Sequence, residues 1–153
     1  MASDAPEQKP PQIFYWHAWT DEAGVSRQTR CVLERFTLKG MSGAAPQWQN
    51  EVASGQAIVN FSVLPVGWIG DWHENPVPQW IVPLSGRWFV ETMDGQRVEM
   101  GPGEISFGDD GGTRPDSHGR KGHRSGTVGN EPAVLMLCQL PQTPAGPHPC
   151  RFK

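Results

Sequence analysis

The stretch Gly67-Trp-Ile-Gly-Asp-Trp-His-Glu-Asn-Pro-Val-Pro-Gln-Trp80 places one imidazole, His73, beside a carboxylate, Glu74, among three tryptophans. Imidazole titrates near neutrality, so it can move a proton or, when neutral, bind a metal ion. His73 therefore has three readings: a metal ligand, an acid–base group with a carboxylate partner, or a hydrogen-bonded pocket residue without catalytic work. A second set of polar groups follows in Gly108-Asp-Asp-Gly-Gly-Thr-Arg-Pro-Asp-Ser-His-Gly-Arg-Lys-Gly122, just before His123. There Asp109 can orient the ring of His73 or His123. Arg114 and His118 lie on a Gly-rich loop that reads either as a flexible solvated segment or as a lid holding an anionic group. It does not join a strand to a helix, so it is not a phosphate-binding loop.

These side chains need strands to hold them. From Gln79 onward, short apolar runs alternate with turn signals: Ser85-Gly86, Asp94-Gly95 and Gly101-Pro102-Gly103. They predict strands over 79–84, 87–93, 96–100, 104–108, 123–128 and 133–140. Earlier strands are expected at 13–19, 30–40 and 56–68, with IFYWHAW as an aromatic edge strand and His17 as a structural residue. On the Gln79 strand, Gln79, Ile81 and Pro83 share one face, and Trp80, Val82 and Leu84 the other. No helical period is sustained. With 18 Gly and 15 Pro in 153 residues, the composition fits strands joined by turns. The loop over 109–122 is expected to be the most mobile internal segment and to border the pocket mouth.

Composition also narrows the class. The net charge is −3, which gives no basic face for nucleic acid. No apolar run is long enough to span a bilayer, and the polar MASDAPEQKPPQ has no apolar signal region. The expectation is a cytoplasmic, soluble protein. The three cysteines Cys31, Cys138 and Cys150 form no C-x-x-C pair. They are expected to be two buried thiols and one tail thiol, without a zinc knuckle or disulfide framework.

The spacing around His73 carries a resemblance. Gly67, five residues, His73, one residue, Asn75, three residues, Gln79, six residues and Gly86 repeat the first motif of the cupin superfamily, in which His and Glu stand where Asn75 and Gln79 stand here. The second cupin motif is similar to Gly103, Asp109 in place of a proline, and Gly111, followed by a loop lengthened by about nine residues. Its histidine would then be His123, with His118 as the competing choice. The resemblance implies an all-β fold, one double-stranded β-helix or jelly-roll barrel over residues 12–140. Residues 1–11 would be disordered and 141–153 a Pro-rich tail.

The resemblance also implies an active site inside the barrel for a small organic molecule. One reading has His73, Gln79 and His123 hold a divalent Fe, Mn, Zn or Ni ion for lyase, isomerase or dioxygenase chemistry. A second is metal-free acid–base chemistry of the epimerase or dehydratase kind, with His73 as base and Glu74 or Asp109 as its partner. A third is a binding domain without turnover. Trp72, Trp80, Trp88, Asn75, His118 and Arg114 are the candidate substrate contacts, although the tryptophans also suit a core or a dimer interface. Small cupins pair through an N-terminal strand, so a homodimer is expected.

Overall fold

The computed structural model describes residues 9–153, so the expectation of disorder over 1–11 falls largely outside the described residues. The chain is all-β. The strands are β1 (Ile13–Thr20), β2 (Ser26–Leu33), β3 (Thr37–Lys39), β4 (Gln47–Gln49), β5 (Ile58–Leu64), β6 (Gln79–Ser85), β7 (Arg87–Thr92), β8 (Arg97–Met100), β9 (Ile105–Gly108), β10 (His123–Val128) and β11 (Ala133–Gln139). The strands expected from Gln79 onward are all present, with ends shifted by a residue or two. Among the described residues, no helix is long and apolar enough to cross a membrane.

Six strands make one sheet in the order β2-β1-β9-β6-β11-β5, and three make a second in the order β10-β7-β8. β1 runs parallel to β9, whereas the other pairs are antiparallel. The arrangement is jelly-roll-like, but hydrogen bonds do not close the sheets into a barrel. The irregular segment between β5 and β6 is tied to β10 of the small sheet by two isolated bridges, Ile69 to Gly126 and His73 to His123. Gly86 carries the chain from β6 to β7 at φ +69°, and a Cβ there would strike the Pro132 carbonyl. A residue free of both constraints is required at that turn.

Two apolar clusters hold the sheets. The first lies between them and contains Ile81, Trp88, Val90, Val98, Met100 and Leu135. The second lies on the other face of the large sheet and joins Tyr15, Leu33, Trp80, Phe107 and Leu140 to Phe152. Burial of that second face corrects two expectations. β1 is not an edge strand: β2 pairs with one side and β9 with the other, which removes the basis for dimerisation through an exposed IFYWHAW edge. The C-terminal segment does not trail away either. The Phe152 ring packs against Trp80 and Phe107, and the Tyr15 hydroxyl donates to the Phe152 carbonyl at 3.0 Å.

The same segment carries a disulfide, Cys31 to Cys150, which corrects the expectation of free thiols. Its partners are 119 residues apart in sequence yet 5.1 Å apart at Cα. Spacing could not reveal the pair, because only the return of the tail over β2 brings the two together. Cys138 is the free cysteine among the described residues.

Candidate active site

The bridge between the β5–β6 connection and β10 is also where the two candidate histidines meet. The His73 N–H donates to the His123 carbonyl, and the His123 N–H to the His73 carbonyl, each at 2.8 Å. The residues before Pro76 form no strand of their own, so this bridge fixes where His73 stands. Gly122, at φ +64°, leads into it, and a Cβ there would collide with the His73 carbonyl. The two rings lie with centroids 4.5 Å apart and planes inclined by 54°.

Each ring is held by its Nδ1. His123 Nδ1 lies 2.6 Å from Asp110 Oδ2, with His123 buried and the Asp110 side chain fully so. Burial would push the Asp110 carboxyl up. The charge and hydrogen bond of His123, with the backbone and side-chain N–H groups of Asn75, outweigh that and hold it below its ordinary value. An ionised carboxylate only accepts, so Nδ1 of His123 donates to it, and Nε2 is the nitrogen of that ring left facing away from Asp110. His73 is exposed, and its Nδ1 lies 2.7 Å from the Asp71 carbonyl, which likewise makes Nδ1 the donor. Neither Nε2 has a hydrogen-bond partner among the described residues.

A chain of amides stands behind His123. Asn75 donates from its backbone N–H and its Nδ2 to Asp110 Oδ1, at 2.9 and 2.7 Å. Gln79 donates to Asn75 Oδ1 at 2.6 Å, and Gln139 donates to Gln79 Oε1 at 3.2 Å. The line Gln139–Gln79–Asn75–Asp110–His123 therefore fixes the ring of His123. Such a relay sets the tautomer and orientation of an imidazole.

A cavity of about 280 Å³ opens beside the pair, lined by both histidines, Gln79, Ser62, Ser125 and the apolar side chains Leu64, Trp68, Ile81, Trp88, Leu135 and Leu137. It gathers His73, Gln79, His123 and Trp88 from the sequence candidates. The others lie elsewhere. Asn75 is buried in the relay. Glu74 anchors the loop, accepting from the Thr113 backbone N–H at 2.9 Å and its hydroxyl at 2.6 Å. Trp80 is in the second core. The Trp72 ring lies near the guanidinium groups of Arg120 and Arg124. Arg114 is tied through its backbone to Gly24, and His118 is exposed in a turn capped by Asp116.

Asp109 requires a correction. It orients neither His73 nor His123 but takes the ring of His17, whose Nε2 is 2.6 Å from Asp109 Oδ1, both side chains being fully buried. Arg151 Nη2 lies 2.8 Å from the other carboxylate oxygen, and the Cys150 N–H donates to His17 Nδ1 at 3.1 Å. His17 and Asp109 thus hold the tail, on the far side of the large sheet from the cavity. The role expected of Asp109 belongs to Asp110, because successive residues of an extended chain point to opposite sides. Alternation along 108–110 could have raised Asp110 as a candidate. Ser62 and Ser125 carried no comparable signal.

The loop over 109–122 also differs from expectation. Its first two residues are buried, the Arg120 N–H and Nε both donate to Asp116, and the Gly122 N–H donates to Thr113 Oγ1. None of its residues lines the cavity.

The donor set is smaller than that of the usual first-row metal site. Such sites take three or four protein ligands. Here two imidazole nitrogens converge, while the amide of Gln79 is engaged at both ends and Asn75 faces Asp110. Among the described residues, no three His, Cys, Asp or Glu side chains cluster to hold an ion. No protein-family model matches the chain, and no curated protein matches it significantly.

Proposed function

We propose that this protein is a small-molecule enzyme of the cupin type that transfers a proton at a carbon beside a carbonyl group. The observation that supports this most is the imidazole pair, each ring held by its Nδ1 and each with its Nε2 free of partners among the described residues. His123 is the base. Its Nε2 takes the proton from carbon, the electron pair moves onto the carbonyl oxygen, and the proton returns to the same or a neighbouring carbon. The overall change is an isomerisation or exchange and needs no oxidant or reductant. Asp110 is a positioning residue that holds the tautomer and stabilises the imidazolium formed on the way. His73, open to solvent, exchanges protons with water and serves as the second acid–base group.

A divalent ion shared by His73 and His123, with Gln79 nearby, is the competing reading, favoured by the convergence of two free nitrogens in one cavity. One experiment separates the two. Small ketones incubated in D2O with the protein should exchange their α-protons, as followed by proton NMR. Exchange is expected to survive EDTA and to fall by on the order of a hundredfold or more in His123→Gln. A stoichiometric ion in the purified protein whose removal abolishes exchange would overturn the metal-free mechanism.

A further inference from the structure

We infer that the cavity takes a small uncharged ligand with one acceptor oxygen, and that the hydroxyl of Ser125 holds that oxygen. The inference rests on the proposed proton transfer for its chemistry, but its evidence comes from other residues.

Ser125 follows His123 by two positions on β10, so the two side chains share a face of the strand. Both line the cavity. Ser125 is 7% exposed, yet its hydroxyl makes no hydrogen bond with any described residue. That leaves the hydroxyl, at the cavity wall, free to donate to a molecule that enters. Its position beside His123 puts a donor next to the base, where charge on a carbonyl oxygen would develop as the proton leaves carbon.

Charge defines the rest of the ligand. Among the described residues, no Lys or Arg side chain lines the cavity. Arg124, next to His123, is turned to the other face of β10 and pairs with Glu91 at 2.9 Å. Arg120 pairs with Asp116. The Asp110 carboxylate stands behind His123, 2.6 Å from its Nδ1. A carboxylate or phosphate entering the cavity would lose its hydration, meet no cation and face that charge, which is strongly unfavourable. The aliphatic and indole walls suit an apolar body instead. Cavities of about 150 Å³ accommodate benzene, so about 280 Å³ has room for a substituted ring.

Four probes of one ring size test this at pH 8: acetophenone, ethylbenzene, benzoate and phenyl phosphate, titrated by NMR chemical shift. Acetophenone should bind at least about tenfold more tightly than either anion. Ser125→Ala should weaken acetophenone about three- to tenfold, the worth of one neutral hydrogen bond, and leave ethylbenzene unchanged. Ser125→Cys, close in size but a weak donor, should behave like Ser125→Ala, and thermal melts of both variants establish that the fold is intact. An anion binding as tightly as acetophenone, equal weakening of both neutral probes, or no binding of acetophenone overturns the inference. The methyl protons of acetophenone report the chemistry separately. The expected binding order without exchange in D2O upholds the ligand class and removes the proton-transfer reading, whereas exchange with the opposite order does the reverse.

Discussion

Asp109 and Asp110 are neighbours of identical chemistry, and opposite side-chain directions give them unrelated work. Asp109 faces His17 and Arg151 under the tail, while Asp110 faces His123. Asp110→Asn should leave the shape of the site intact yet lower proton exchange at least about a hundredfold, because an amide neither fixes the Nδ1–H tautomer nor stabilises imidazolium. Asp109→Asn should loosen the tail and leave exchange unchanged, as assayed on the same ketones. Stability against pH gives a second measurement for Asp110. Its folded pKa lies below the ordinary 3.8, so its contribution is complete above the unfolded value and is lost as pH falls through the folded one. Wild type should therefore lose stability below about pH 4, and Asp110→Asn, less stable at neutral pH by about 3 kcal/mol, should lack that part of the loss. Denaturant titrations at pH 3 and pH 7 decide it.

At the scale of elements, the site depends on two irregular segments locked together. The segment over 67–78 is not a strand, and the loop over 109–122 is mostly irregular. They meet at the His73–His123 bridge, at Glu74 with Thr113, and at Gly122 with Thr113. Gly122→Ala would put a methyl group against the His73 carbonyl at a positive φ. The φ penalty alone costs about 1–2 kcal/mol, and the bridge must open, so exchange should fall along with the melting temperature. Glu74→Gln is milder. It weakens a charge-assisted anchor, and amide hydrogen exchange at Thr113 should quicken while the ketone assay changes little. If Glu74 were the catalytic partner of His73, turnover would collapse instead.

At the scale of the molecule, the C-terminal segment is part of the fold. Phe152 fills the second core, Arg151 lies on Asp109, and Cys150 is bonded to Cys31. Reduction, or the change Cys150→Ser, should lower stability by about 2–4 kcal/mol and alter the fluorescence of Trp80 as Phe152 withdraws. The cavity, on the other face of the sheet, should keep its ligand affinity. Loss of ligand binding in step with reduction would show that the two faces are coupled. Such bonds persist in oxidising surroundings and are rare in the cytosol, so this feature does not favour the cytoplasmic expectation. A separate feature is the edge strand β5, whose Val59, Phe61 and Val63 remain exposed.

What the sequence determined by itself was local. Turn residues such as Asp94-Gly95 and strands alternating with a period of two act within a few residues, so the all-β class and the strands after Gln79 were legible. The meeting of His73 with His123 was expected from spacing, but strand parity does not set it: His73 lies in no strand and is exposed, and the isolated bridge brings the two together. What only the tertiary structure decided involves partners far apart in the chain. Cys31 finds Cys150, His17 finds Asp109, and Ser62 and Ser125 arrive at one cavity from different sheets. Asp109 and Asp110 show the limit most plainly. Both are visible as carboxylates, but which one faces the imidazole is set by the register of β9 against β1 and β6, and a one-residue difference in register reverses every side chain.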